Sequence, residues 1–262
     1  MATPLSAAQF LAALKAEGVR VVEVGSWRTH NRNSKGPWGP MNGVMIHHTV
    51  TSGTQKSVDI CRNGYSSLPG PLCHGVIDKD GVVHLVGYGR ANHAGGGDPA
   101  VLRHVTAEDY GTRPPAPARG NANGIDGNAR FYGFECVNLG DGRDPWTEAQ
   151  LEAIERVGAA ICRAHGWGAR SVIGHLEWSQ DKIDPKGFGM PGMRDRIAAR
   201  LKTKPGSGGS TSTYTVGRGD TLWSIAASKL GEGSRWTEIA KLNHLADADR
   251  LTPGQKLKLP KR

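Results

Sequence analysis

Cysteine is scarce in the sequence, and its spacing excludes one common kind of metal site. The 262 residues include four cysteines, and no two of them form a CxxC pair. A zinc ribbon requires such pairs and is therefore excluded. An even number of cysteines permits disulfides, but without an export signal we expect free, buried thiols. The four are Cys61, Cys73, Cys136 and Cys162.

Long apolar runs are also missing. No stretch approaches the roughly 20 apolar residues of a membrane-spanning helix. The start of the chain, MATPLSAAQFLAALKAEG, lacks the basic beginning of a signal peptide, and Gln9 interrupts its short apolar stretch. A helix fits these residues better, with Ser6 and Gln9 as a capping box and Gly18 as its stop. We therefore expect synthesis in the cytoplasm without a signal peptide.

Blocks of basic residues are absent although the chain is strongly basic. It has 33 Lys and Arg against 24 Asp and Glu, a formal net charge of +9. This charge favours an anionic partner. The basic residues are dispersed and no aromatic–basic RNA-binding motif accompanies them, which argues against nucleic acid. A bacterial cell wall, rich in phosphate polymers, would attract the same charge.

The clearest boundary in the chain is KTKPGSGGSTST, residues 202–213, whose Pro, Gly, Ser and Thr are typical of a flexible linker. It separates residues 1–201 from a small C-terminal part, residues 214–262. In the large part, strand-length apolar runs alternate with helical patterns, so the predicted class is α/β with a mixed central sheet flanked by helices. Residues 95–130 show no periodic pattern and are predicted to form a long loop.

Two predicted strands end in histidine. GVMIHHTV (43–50) contains His47 and His48, which point to opposite faces of a strand and should not do the same job. SVIGH ends in His175, and Asp184 follows nine residues later. Two imidazoles and one carboxylate, with a fourth position left to water, make a catalytic zinc set. The alternative is that the paired histidines are only hydrogen-bonded near a strand end.

Five motifs occur in the order found in one enzyme family: VMIHHT, CHGVIDKDG, NHAGGG, FYGFECVN and GHLEWSQDKIDP. Over about residues 20–200 the sequence resembles zinc N-acetylmuramoyl-L-alanine amidases of the amidase-2 type, relatives of the peptidoglycan recognition proteins and of phage amidase endolysins. The resemblance implies that His47, His175 and Asp184 bind Zn2+ and that His48 is structural.

The resemblance also implies two catalytic residues. Glu135, inside the apolar strand GFECV, would transfer the proton, and a carboxylate there is costly unless it is used or paired. Lys182 matches the family's catalytic lysine, where a cation would stabilise the oxyanion of the tetrahedral intermediate. The alternatives are an outward-facing glutamate and an ordinary solvated lysine.

Some positions depart from the family pattern or leave alternatives open. Asp181 stands where the family often has arginine, which changes the local electrostatics. Some phage relatives have a catalytic tyrosine at the position of Cys73, so Glu135 should carry the proton transfer here. The family lines its substrate cleft at the positions of His74 and His93, although either histidine could be a packing or surface residue.

Residues 214–260 resemble a LysM module over their whole length, in YTVGRGDTLWSIA, in Asn243 and in LTPGQKLKLP. The pattern predicts strand, helix, helix, strand. LysM modules bind glycans that contain N-acetylglucosamine, which implies a groove with Asp220, Thr221 and Leu222 on one side and Asn243 on the other. The alternative is that these residues are caps and core.

The two resemblances together imply a zinc hydrolase that cleaves the amide between N-acetylmuramic acid and L-alanine in bacterial peptidoglycan. We expect a phage or prophage endolysin, made in the host cytoplasm and acting on the wall after release. The expected partner is peptidoglycan, bound by a monomer, with neither nucleic acid nor membrane as a partner. The alternative is a non-catalytic peptidoglycan recognition protein, but loss of catalysis usually removes a metal ligand, and all three are present.

Overall fold

The computed structural model describes residues 2–206, 212–245 and 247–260. The chain divides into two compact units, residues 1–207 and 208–262, and each is described by itself. Within the predicted linker 202–213, residues 207–211 lie outside the described part. Among the described residues, no helix combines the length and the apolar character that crossing a bilayer requires.

Eight strands and six α-helices make up the large unit as described. The strands are β1 (Arg20–Glu23), β2 (Gly43–His48), β3 (Gly75–Ile77), β4 (Val82–Leu85), β5 (Gly96–Gly97), β6 (Ile125–Asp126), β7 (Phe131–Cys136) and β8 (Val172–Gly174). The helices are α1 (Ala7–Ala16), α2 (Thr54–Asn63), α3 (Pro99–Ala107), α4 (Glu148–His165), α5 (His175–Trp178) and α6 (Met190–Leu201).

The central sheet has six strands in the order β1–β4–β3–β7–β2–β8. The four neighbouring strands β3, β7, β2 and β8 are parallel to one another. Strand β4 pairs antiparallel with β3 and parallel with β1. β3 and β4 form a hairpin, in which Gly75 pairs with Leu85. The predicted α/β class with a mixed central sheet is therefore confirmed.

Alternate residues of β2 pack into two different cores. Val44 and Ile46 belong to the main core, which contains buried residues of α1, α4 and α6. Met45 belongs to a second core with residues of α3 and with Trp178. Because side chains alternate along a strand, His48 points to the same face as Val44 and Ile46, and His47 points to the same face as Met45. The two neighbouring histidines therefore lie on opposite faces of the sheet.

The prediction of a long loop over residues 95–130 is wrong, because this segment contains α3 and the short antiparallel pair β5–β6. The Asp98 carboxylate accepts a hydrogen bond from the N–H of Ala100 at 2.7 Å, and Pro99 occupies the first helical position. Both features start a helix. Val101 and Val105, four residues apart, are the buried residues of the helix.

The other helix signals and the cysteine prediction agree with the structure. Ser6 and Gln9 form the predicted capping box of α1. At the start of α4, the Thr147 hydroxyl accepts the N–H of Gln150 in the same way. All four cysteines are free and buried, as expected.

In the small unit, β9 (Ser212–Thr215) pairs antiparallel with β10 (Lys256–Leu259). Between them lie α7 (Leu222–Leu230) and α8 (Trp236–Leu242), so the order is strand, helix, helix, strand, as predicted. Thr221 caps α7 with its hydroxyl, which accepts the N–H of Ser224 at 3.0 Å. The small core includes Leu222, Ile225, Ile239 and Leu257.

Candidate metal centre

Three parallel strands place the candidate residues at one edge of the sheet. His47 of β2 lies opposite Glu135 of β7. On the other side, Ile46 lies opposite Gly174, the last residue of β8, and His175 follows directly. Ligands of open α/β sheets bind at the carboxyl ends of the strands. The site lies at this edge, where β7, β2 and β8 end side by side.

Asp184 approaches the two histidines from the loop after α5. The distance between His47 Nδ1 and His175 Nδ1 is 2.9 Å, and Asp184 Oδ2 lies 3.0 Å and 3.1 Å from these two nitrogens. Tetrahedral ligand atoms at 2.0–2.1 Å from zinc lie about 3.3 Å apart. The triangle of donor atoms therefore has the size that one face of a zinc tetrahedron requires.

The outer ring nitrogens decide which tautomer each histidine adopts. His93 Nε2 donates to the Phe131 carbonyl at 3.0 Å, so the other nitrogen of a neutral His93 is an acceptor. That nitrogen lies 3.1 Å from His47 Nε2, which must then donate. His175 Nε2 donates to the Ala94 carbonyl at 3.1 Å.

In these tautomers both Nδ1 atoms carry lone pairs instead of protons. Two bare imidazole nitrogens and a carboxylate oxygen then converge without a proton between them, which is unfavourable unless a cation joins them. A metal-binding histidine usually donates its other N–H to a carbonyl or a similar acceptor. The residues present therefore fit a zinc ion, with His47, His175 and Asp184 as its protein ligands.

Burial keeps His47 unprotonated at neutral pH. Burial, reinforced by the neighbouring His175, lowers the pKa of His47 to about 4. Burial also lowers the pKa of His93. Metal affinity benefits, because bound ligands must be deprotonated.

His48 takes no part in the triangle. It lies on the opposite face from His47, and its Nδ1 accepts a hydrogen bond from the Lys186 backbone N–H at 3.1 Å. This bond ties the strand end to the loop that carries Asp184. The structure therefore gives His48 a structural role.

Glu135 is a partly buried carboxylate on the same face as His47. Its Oε2 atom is buried and has no hydrogen-bond partner among the described residues. Burial, followed by the charge of Asp184, raises the pKa of Glu135 to about 8, and Lys182 opposes this rise. A free, desolvated oxygen beside the ligands is suited to proton transfer.

Lys182 belongs to the same loop as Asp184. Its charge acts on both Glu135 and His47. Within the described part of the chain, its ammonium has no hydrogen-bonded or ion-paired partner. Among the described residues Asp181 forms no ion pair with Lys182, and Asp181 Oδ2 accepts the backbone N–H of Asn121 at 2.8 Å. The departure from the family pattern at Asp181 therefore anchors a loop.

The structure favours the packing alternative for His74 over the predicted substrate-binding role. His74 is completely buried; it donates from Nε2 to the Gly89 carbonyl and accepts the Gly133 N–H at Nδ1, both at 2.8 Å. Both ring nitrogens are used, so none can reach a substrate.

His93 was also predicted to line the cleft, but it lies behind His47. A Cβ at Gly133 would lie 2.4 Å from His93 Nδ1, so the glycine makes room for the ring. Cys73 is a packing residue in a buried apolar cluster with Cys61 and Val76.

The predicted sugar-binding residues of the small unit divide into two groups. Asn243 is structural: its amide donates to the carbonyls of Ile239 and Lys258 and thereby joins α8 to β10. Asp220 also acts locally, accepting the Tyr214 hydroxyl and the Gly217 N–H, each at 2.7 Å. These hydrogen bonds favour the alternative for both residues, that they are caps and core.

Thr221 and Leu222, in contrast, line a cavity of about 270 Å3. Sequence reasoning missed two residues of this cavity, Trp223 and Trp236. Trp223 is 57% exposed, which is unusual for so large an apolar side chain. Its place beside Leu222 in the motif DTLWSIA was the available signal.

Comparison with known proteins agrees with the geometry. A family model described as N-acetylmuramoyl-L-alanine amidase matches residues 37–187, more than half of the chain. The chain belongs to this family. Residues 214–260 match the LysM domain. The amidase match contains all three candidate ligand positions together with Glu135 and Lys182.

Individual relatives share only parts of the chain. It is 30% identical over 150 residues to N-acetylmuramoyl-L-alanine amidase XlyB of Bacillus subtilis, covering 54% of this chain and 46% of the relative. It is 38% identical over 72 residues to the uncharacterized protein YqbP of the same organism, covering 23% of this chain and 33% of that protein. The chain thus spans less than half the length of either relative.

Among solved structures, the chain is similar to the endolysin N-acetylmuramoyl-L-alanine amidase LysCS of Clostridium intestinale. The two are 17% identical and superpose with a TM-score of 0.42. The match covers 68% of this chain and 95% of that one.

Proposed function

We propose that the chain is a zinc-dependent amidase that hydrolyses the bond between N-acetylmuramic acid and L-alanine in peptidoglycan. One observation carries the proposal. His47, His175 and Asp184 form a triangle of unprotonated donors with sides of 2.9–3.1 Å, and the unpartnered carboxylate of Glu135 lies on the same face. Membership of the amidase family supports the choice of bond.

His47, His175 and Asp184 would hold the metal. When bound, zinc supplies Lewis-acid chemistry, which lowers the pKa of a water and polarises a carbonyl. The role of this chain's residues is to fix the ligand geometry: His93 and the Ala94 carbonyl orient the two imidazoles from behind.

Glu135 accepts the proton of the attacking water and later gives it to the leaving amine of L-alanine. The bond from carbon to water oxygen forms, the amide C–N bond breaks, and the proton ends on the amine. Only ionised Glu135 can start this sequence. The pKa of Glu135 falls when a cation occupies the neighbouring site, because positive charge favours the carboxylate.

Lys182 stabilises the negative charge that develops on the carbonyl oxygen. Its ammonium has no competing partner in the described part of the chain, so it is available to a substrate oxygen. Removing one oxyanion-stabilising donor costs about 10²–10³ in rate in other hydrolases.

The small unit would hold the enzyme on the glycan strand. Its cavity brings the indoles of Trp223 and Trp236 together with the polar groups of Thr221 and Asp249. Aromatic faces with a few polar groups are typical of ligand pockets. We extend the proposal to the biological role: an endolysin that acts on the bacterial wall, to which its positive charge and wall-binding module would direct it.

The products test the function. Purified peptidoglycan treated with the protein should gain free L-alanine amino termini and no new reducing sugars, and a chelator should stop the reaction until Zn2+ is returned. New reducing sugars would show a glycosidase, and binding without any product would favour a recognition protein.

A further inference from the structure

A single side-chain oxygen collects three successive backbone N–H groups behind the candidate metal centre. Asn128 Oδ1 accepts hydrogen bonds from the N–H groups of His93 at 2.9 Å, Ala94 at 2.8 Å and Gly95 at 3.3 Å. Gly95 has a left-handed φ of 54°, a conformation that glycine adopts without strain. The three N–H groups form a concave nest that suits an oxygen acceptor.

The segment held in this way contacts both histidine ligands. The His93 ring accepts the N–H of His47 Nε2, and the Ala94 carbonyl accepts the N–H of His175 Nε2, both at 3.1 Å. The Ala94 carbonyl also accepts the indole N–H of Trp178 at 3.1 Å. Residues 93 and 94 therefore set the tautomer and direction of two of the three ligands, which come from β2 and from the start of α5.

Asn128 is itself fixed by its neighbours. Its backbone N–H donates to Asp126 Oδ1 at 3.0 Å, and the other carboxylate oxygen of Asp126 pairs with Arg90 at 2.6 Å. This arrangement leaves the amide oxygen pointing at the nest. Within the described part of the chain Asn128 makes no hydrogen bond to His47, His175 or Asp184, so we expect its effect on the metal to pass through residues 93 and 94.

We propose that Asn128 is a positioning residue of the metal centre, which sets the zinc affinity by holding His93 and Ala94 against the two ligands. The inference rests on the proposed zinc site. Removing the Asn128 oxygen leaves three N–H groups without their acceptor, and the segment can then shift away from His47 and His175. Partners behind metal ligands typically contribute about 10–100-fold to metal affinity.

The experiment compares zinc affinities of the full chain by competition with a chromogenic chelator. Asn128→Ala should weaken zinc binding by about 10–100-fold. Asn128→Asp keeps an acceptor oxygen in place and should stay within about threefold of the unmodified chain. The matched control is Asn42→Ala: Asn42 is buried, and its side-chain amide donates to the Thr106 hydroxyl at 2.8 Å and not to residues 93–95. It should lower stability without changing zinc affinity.

A second readout separates positioning from general destabilisation. Zinc should raise the melting temperature of Asn128→Asp as much as that of the unmodified chain, but raise it less for Asn128→Ala. If Asn128→Ala does not fold, Asn128→Ser takes its place with the same expected weakening.

The inference is overturned if the unmodified chain and Asn128→Ala, or Asn128→Ser, bind zinc equally well, or if Asn128→Asp and Asn42→Ala lose affinity to the same extent as Asn128→Ala. A wild-type chain that binds no zinc would instead overturn the proposed function on which the inference rests.

Discussion

Glu135 lies directly opposite His47 in the parallel pair formed by β7 and β2. Residues in register on neighbouring strands point to the same face, so the carboxylate stands beside the imidazole. The next pair, His48 opposite Cys136, points to the other face. This register places one candidate base next to one candidate ligand, and a slip of one residue in either strand would turn that strand's residue to the other face.

Glu135→Gln should keep zinc and fold but lose peptidoglycan hydrolysis by about 10²-fold or more, since a general base contributes on that order. The neutral amide fills the same space and cannot take a proton. Turnover and zinc content measured on the same sample check this. Normal turnover would mean that another group transfers the proton. His74 could not do so, because both of its ring nitrogens are hydrogen-bonded.

Lys182→Met should lower kcat by about 10²-fold with a smaller change in KM, because its charge acts mainly when the oxyanion forms. Lys186→Met is the matched control: Lys186 is an exposed lysine of the same loop, and only its backbone N–H contacts His48. Steady-state kinetics on soluble muropeptides distinguish the two. Equal effects from both substitutions would mean that the loop charge as a whole, and not Lys182, is responsible.

Acid should destabilise the large unit through His74. Burial lowers the pKa of His74 to about 4, although its bonds to Gly89 and Gly133 oppose this. The unfolded chain then binds more protons, so stability present above pH 6.5 is lost as the pH falls toward 4. The loss is about 3 kcal/mol for a shift of this size. Unfolding of the metal-free protein at several pH values should show a shallower dependence for His74→Gln; an unchanged dependence would contradict the burial argument.

The small unit should increase the rate of hydrolysis of intact walls but not the rate on soluble fragments. A chain ending at residue 206 contains every proposed catalytic residue and should cleave soluble muropeptides normally. On intact walls at low enzyme concentration it should be slower, because a bound module can raise the effective concentration by about 10²-fold. Trp223→Ala in the whole chain should reproduce part of this loss. Wall clearing by the truncated chain as fast as by the whole chain would assign the module another role.

The sequence predicted the candidate ligands of the site better than the groups that hydrogen-bond to those ligands. Apolar strands that end in histidine, and Asp184 nine residues later, indicated a metal set because ligand chemistry limits the residue types. The roles of Phe131 and Ala94 could not be predicted, since their backbone carbonyls carry no sequence signal. His74 and His93 resemble cleft residues in sequence, and only burial and hydrogen bonds show that they lie behind the site.

The helix α3 was missed for a different reason. Residues 95–130 are rich in Gly, Pro and Asn, and this composition hid a nine-residue helix whose signals were Asp98, Pro99 and the pair Val101 and Val105. In the small unit, Asn243 stands at a motif position, but its amide joins α8 to β10. Motif membership alone does not separate a ligand contact from a structural hydrogen bond.

The most direct measurement is the zinc content of the purified protein and of four single variants, by elemental analysis after dialysis. We expect about one equivalent in the unmodified chain and in His48→Ala, and strongly reduced zinc in His47→Ala, His175→Ala and Asp184→Ala, because tetrahedral zinc sites in enzymes depend on three protein ligands. Full zinc occupancy in any of the last three variants, or loss of zinc in His48→Ala alone, would contradict the proposed metal centre.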